Sequence, residues 1–214
     1  MKQPAKRRDY RNALGEKVPG VTTVIGDSLG WKTHSLIQWA HRLGKEGRSL
    51  SERDQAADKG TATHALVARM LGHDDGTELD DDEIREHTPN ADRIVEAIRS
   101  RWEVLHVEFA IVSERYAGTI DLVCKDKDGH VGIVDLKTGN GVYDEVCVQL
   151  AAYINLLGGG NVGAIAGWAS IIHAHPGLPL EVIDVPSDSL NAAREVFGDC
   201  LSIYEAKKRV KVRP

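Results

Sequence analysis

The chain is poor in cysteine, has no long apolar run and carries no excess of basic residues, and each absence removes a class of protein. Three cysteines, Cys124, Cys147 and Cys200, are too few and too scattered for a disulfide framework. They also fall one short of a four-thiolate zinc or iron–sulfur set, so no iron–sulfur cluster is expected. No apolar stretch approaches the ~20 residues that span a bilayer, and Met1 to Arg11 lacks the apolar core of a signal peptide. The expectation is a soluble protein of a reducing, cytoplasmic compartment with no membrane partner. Lys plus Arg number 27 against 32 Asp plus Glu, a net charge of −5. That balance lacks the overall basic excess common in nucleic-acid binders, and it leaves a local basic groove open. The 214 residues suit one domain, and internal repeats are absent.

Residues 1–18 read as a basic, flexible tail, with Lys2, Lys6, Arg7, Arg8 and Arg11 and little to bury, so the domain is expected to run over 19–214. Val21 to Ile25 is a short β-branched segment after the Pro19-Gly20 turn. Thr33 to Leu43 places apolar residues at helical spacing. A longer helix is expected from about Ser51, a plausible N-cap, to Leu71, with Gly72 ending it. Asp74 to Glu83 is acidic and reads as an exposed loop, without the ligand alternation of a calcium loop. Helical periodicity resumes from Pro89 to Leu105.

The pattern then turns to strands over Val107–Val112, Tyr116–Cys124 and Val131–Leu136, the last two joined at Lys127-Asp128-Gly129. Asp144 to Leu157 is helical, Ile165–His173 and Leu180–Val185 are strands, and Ser187 opens a last amphipathic helix with a basic end. This order predicts a mixed α/β fold with helices covering a sheet.

The informative segment is Tyr116-Ala-Gly-Thr-Ile-Asp121, followed fourteen positions later by Asp135-Leu-Lys137-Thr138. Strand alternation puts Asp135 and Lys137 on one face and Val134 and Leu136 on the other. Ile120 and Leu122 flank Asp121 in the same way, so the hairpin is expected to bury those four and present two carboxylates and an ammonium. Paired carboxylates repel unless a proton or cation compensates, and hard oxygen ligands suit Mg²⁺ or Mn²⁺. Taken alone, an Asp-x-Lys is an ordinary surface ion pair. The context adds Gly118, which admits a close approach, and a following helix with Gln149 and Tyr153 four apart on one face.

Glu108, Gly118-x-x-Asp121, Asp135-x-Lys137 and Gln149-x-x-x-Tyr153 together resemble the PD-(D/E)XK nuclease superfamily. Within it the chain is similar to the RecB-like exonuclease branch, including phage-type exonucleases and the mitochondrial genome maintenance exonuclease. Gly60-Thr-Ala-Thr-His64 fits that branch's upstream histidine helix. The resemblance implies a restriction-endonuclease-like core, with a central mixed sheet flanked by helices and an added N-terminal helical segment. It implies metal ligation by His64, Asp121, Asp135 and the Leu136 carbonyl. Lys137 becomes the catalytic lysine, with Gln149 and Tyr153 in support. Glu108 takes the acidic position on the first core strand, where Glu114 is the competing choice.

The implied activity is Mg²⁺- or Mn²⁺-dependent exonucleolytic hydrolysis of DNA, in phage-type recombination or DNA processing, within a bacterial or phage-infected cell. An endonuclease of the same fold and a non-catalytic nucleic-acid-binding module are the alternatives. Lys32, Arg53, Lys59 and Thr138 are candidate phosphate contacts, and a single-strand annealing protein is a candidate partner. His173 and His175 are read as facing solvent, and Cys124 and Cys147 as small buried hydrophobes.

Overall fold

Val21, Val24 and Ile25 are buried at helical spacing, and the segment from Val21 to Leu29 is a helix, α1, rather than an extended β-branched piece. Local propensity yields here to a tertiary contact that only the i, i+3, i+4 stripe can make. Gly30, with φ 59°, closes α1. The computed structural model describes residues 9–30, 41, 45, 51–74, 76–159 and 166–210. The helix expected over Thr33–Leu43 therefore falls largely outside the described residues.

Helix α2 spans Ser51–Met70. It ends in a Schellman motif in which His73 N–H donates to the Ala68 carbonyl and Gly72 N–H to Arg69, with Gly72 left-handed at φ 87°. Helix α3, Asp81–Arg101, begins inside the acidic run read as a loop. Asp80 caps it, and Glu83 returns the bond to the Asp80 amide, a reciprocal capping box. The remaining acidic residues of its first turn favour the positive end of the helix dipole. Pro89 lies inside α3 rather than at its start, and the helix stops at Arg101. Leu105, assigned by periodicity to that helix, stands on a strand instead.

Five strands follow: β1 Glu103–Val112, β2 Ala117–Lys125, β3 Val131–Lys137, β4 Ala166–His173 and β5 Glu181–Asp184. They form one sheet in the order β1-β2-β3-β4-β5. Only β3 and β4 are parallel; the other neighbours are antiparallel, so the sheet is mixed. Helix α4, Glu145–Leu157, makes the crossover between the parallel strands, and α5, Ser187–Arg209, follows β5.

One face of the sheet packs against α1, α4 and α5, through residues such as Val24, Ile133, Leu150 and Phe197. The other packs against α2 and α3 through Val67, Ile94, Val134 and Ile172. Ile120 belongs to the first cluster and Leu122 to the second. The expected sorting, with both on one face beneath an open charged face, is therefore corrected: both faces are covered. Cys124 is fully buried, and burial pushes its thiol up to about 12. Cys147 is only half-buried.

The stretch read as a tail is folded from Asp9 onward. Arg11 pairs with Lys17 in a small turn, Val18 is buried, and Ala117 N–H donates to the Pro19 carbonyl. The Tyr10 hydroxyl meets Thr119 Oγ1 at 2.9 Å. This pins the segment to the start of β2, beside the residues that matter below.

Candidate active site

Two strand registers set the site. Val107 pairs with Leu122 and Phe109 with Ile120, which places Glu108 opposite Asp121. Leu122 pairs with Val134, the last pair of the β2–β3 ladder, and Asp121 and Asp135 are the next residues beyond it on the two strands. The three carboxylates thus lie in one row across β1, β2 and β3. Past Leu122↔Val134 the ladder stops, and the Leu136 amide donates to Asp121 Oδ2 at 2.8 Å. A side chain takes the place of a strand carbonyl, so the two strands part at the acidic row.

Asp135 is 2% exposed. Its Oδ1 accepts from Gln149 Nε2 at 3.1 Å, and its Oδ2 lies 2.5 Å from Lys137 Nζ in an ion pair. Burial, reinforced by the charge of Asp121, pushes the Asp135 carboxyl up to about 6 against the pull of Lys137 and His64. Burial alone would lower the Lys137 ammonium, but Asp135 and Asp121 outweigh it and hold that group above its ordinary value. Lys137 is therefore a fixed positive charge at neutral pH.

Gln149 and Tyr153 share a face of α4, as their spacing requires. Gln149 Nε2 also donates to the Tyr153 hydroxyl, at 3.3 Å. Burial, then the charges of Asp121 and Asp135, push that hydroxyl far above the ordinary phenol range, so it stays protonated. Its ring fills the space beside Gly118, where a Cβ would overlap Cε1 and approach Cδ1 to 3.0 Å.

Helix α2 reaches the row from the other side. Gly60 and His64, four apart, face the strands together: a Cβ on Gly60 would stand 3.3 Å from Thr138 Oγ1, and His64 Nδ1 is 3.9 Å from Asp121 Oδ2. His64, Glu108 and Asp121 each offer a ligand atom, all within 4.8 Å of one another. An imidazole nitrogen with two carboxylate oxygens is a donor set able to hold a divalent cation. Of the two glutamates weighed for the acidic strand position, Glu108 joins this group, while Glu114 is exposed at the β1–β2 turn. Glu108 has φ 49°, the only positive value at a non-glycine among the described residues.

Thr138 is placed next to Gly60, and Leu136 is buried under α2 and α3. Lys32, and the Arg53 and Lys59 side chains, lie outside what is described. His173 and His175, read as facing solvent, hold the loop after Lys137 instead. His173 Nε2 is 2.8 Å from the Gly139 carbonyl, and His175 Nε2 is 3.1 Å from Asn140 Oδ1. Between them Ala174 N–H donates to the Lys137 carbonyl. The signal in the sequence is a His-x-His at a strand end; its use depends on the parallel register Lys137↔His173.

The sequence matches the family described as the PD-(D/E)XK nuclease superfamily over residues 10–177, well over half of the chain. No curated protein matches it. Among solved structures, that of SSO0001 is similar at 12% identity, covering 67% of this chain and 84% of that one, with a TM-score of 0.30. The alkaline exonuclease LHK-Exo of Laribacter hongkongensis is similar at 15% identity, covering 75% and 85%, with a TM-score of 0.29. The same enzyme in complex with dAMP gives 14%, 74%, 82% and 0.32. The family rests on the sequence match. With its mixed five-stranded sheet flanked by helices and its Asp121, Asp135-x-Lys137 core, the chain belongs to the PD-(D/E)XK nuclease superfamily.

Proposed function

We propose that this chain is a divalent-metal-dependent DNA exonuclease. The observation that carries the reading is the convergence of His64, Glu108 and Asp121 beside the buried Asp135–Lys137 pair. The residues fit a divalent cation, since two hard carboxylates and an imidazole converge and a neighbouring carboxylate is held at high proton affinity by burial and like charge. His64, Glu108 and Asp121 would hold it, with Asp135 and the Leu136 carbonyl as further donors. A bound ion supplies Lewis acidity to a phosphoryl oxygen and makes a nearby water more acidic.

The chain's own groups do the rest. Lys137 Nζ, held protonated, neutralises charge growing on the phosphoryl oxygens. Gln149 fixes Asp135 Oδ1, and through it the direction of the carboxylate. The Tyr153 hydroxyl, held protonated, is a donor toward the acidic row. Thr138, with Lys32, Arg53 and Lys59, is assigned to the phosphates of the bound strand. The exonuclease reading, over an endonuclease of the same fold, is supported by the His64 helix, which resembles that of the RecB-like branch. A phage-type recombination or DNA-processing role, with an annealing protein as partner, completes the proposal. The net charge of −5 is compatible with it, because part of the acidity sits in the row that a cation neutralises.

The test incubates end-labelled linear and closed circular DNA with Mg²⁺, Mn²⁺ or EDTA. Metal-dependent loss of linear DNA, absent in Lys137→Ala, is expected. Linear DNA that survives both metals would sink the reading, and cutting of closed circles would replace it with an endonuclease.

A further inference from the structure

We infer that a groove beside Glu108 seats one unpaired nucleobase of the DNA strand, stacked on the His106–Phe109 ring pair; this deepens the nuclease reading and rests on it. In a regular strand, residues three apart point to opposite faces. His106 and Phe109 nevertheless stack, with ring centroids 4.4 Å apart and planes 20° from parallel. The left-handed backbone at Glu108, between them, breaks the alternation that would separate the rings.

Phe109 leans on the core cluster beneath α1, α4 and α5, while His106 is exposed. The pair is therefore a flat π surface, backed by the fold on one side and open on the other. It borders a groove of about 400 Å³ between the end of α2 and the edge of the sheet, which Leu71, His73, Leu105 and Glu108 help to line. That volume is within the range of small-ligand sites.

The lining chemistry selects the occupant. Among the described residues the lining includes no lysine or arginine, so those residues offer a phosphate no fixed positive charge, whereas stacking on rings requires only a π face and tolerates any base. Glu108 belongs both to the groove and to the cation-holding group. A phosphate engaged at that group thus brings the base of an adjoining nucleotide to the rings. A base inside a duplex has both faces occupied, so the occupant must be unstacked, as at a frayed or single-stranded end.

The test measures binding of short single-stranded DNA to the Lys137→Ala protein with Mn²⁺, comparing natural oligonucleotides with ones abasic at successive terminal positions. One abasic position is expected to weaken binding about tenfold. His106→Ala should weaken natural DNA to the same degree, with no further loss on the abasic oligonucleotide, and His106→Tyr should restore the difference. Equal binding of natural and abasic DNA, or an equal loss on both in His106→Ala, overturns the assignment. Hydrolysis of linear DNA by the unsubstituted protein is scored separately. Hydrolysis without base discrimination removes the groove alone, and discrimination without hydrolysis removes the nuclease reading alone.

Discussion

The ring of Tyr153 lies where a side chain on Gly118 would have to be. The two residues are 35 positions apart in the chain, on α4 and β2, and a Cβ on Gly118 would overlap Tyr153 Cε1. Glycine here is a packing requirement imposed by the Tyr153 ring. Gln149 links that tyrosine to Asp135, so displacement of the ring reaches the acidic row.

Gly118→Ala is accordingly expected to lower the rate at least tenfold and stability by about 1–3 kcal/mol, the range for overpacking a filled core. With Tyr153→Ala, which empties the space, the losses of stability in the double variant should be less than additive, and activity should not return. Thermal melts of the two single variants and the double variant check this. An unchanged melting temperature in Gly118→Ala would show that the ring moves freely.

Glu108 holds a left-handed backbone, which costs a branched residue more than it costs asparagine. Glu108→Val should therefore lose about 1–2 kcal/mol of stability, whereas Glu108→Asn should melt at or above the unsubstituted protein. Both lose the carboxylate, so both should shrink the rise in melting temperature that Mn²⁺ produces. Identical melting of the two variants in EDTA would contradict the strain at this position.

Asp135 sets a pH dependence whose sign follows from its raised value. The native carboxyl titrates near 6 and the unfolded one near the ordinary value of about 4. Between those limits the native state holds more protons, so the group's stabilising contribution is present below about pH 4 and is lost as pH rises through 6. In EDTA, the stability of Asp135→Asn relative to the unsubstituted protein should rise with pH between 4 and 7.5, by a few kcal/mol at most. Protons also compete with a cation here, so Mn²⁺ stabilisation of the unsubstituted protein should fade below about pH 6. A variant-minus-parent melting difference that does not change with pH would refute the assignment.

Gly132 provides a structural control. A Cβ there would overlap the indole of Trp168, which stacks on Trp102 with centroids 5.6 Å apart and donates Nε1–H to the His130 carbonyl. Gly132→Ala should cost about 1–3 kcal/mol and leave the rate per folded molecule within twofold at 20 °C. A selective loss of rate at full stability would place this end of the sheet in the site.

The elements legible in the sequence are those set by neighbours in the chain. Asp135 and Lys137 share a face because strand side chains alternate, and Gln149 and Tyr153 do because four residues make about one helical turn. The β2–β3 turn is equally local: Asp126 Oδ1 accepts the amides of Asp128 and His130, and Gly129 takes φ 87°. Where distant segments decide, local pattern misleads. Val21 to Ile25 carries strand-forming side chains, yet it is helical because its buried stripe packs against α4, α5 and the sheet. Leu105 continues a helical period but lies on β1.

By itself the sequence determined the chemistry available: an acidic pair with a lysine, an upstream histidine and a glutamine–tyrosine helix face. Only the tertiary structure decided that Glu108 rather than Glu114 joins His64 and Asp121, that Ile120 and Leu122 part to opposite faces, and that His173 and His175 hold the loop after Lys137. Each of these is a choice among residues of like chemistry. Such a choice depends on strand register and on which helix covers which face, energies distributed over contacts far apart in the chain.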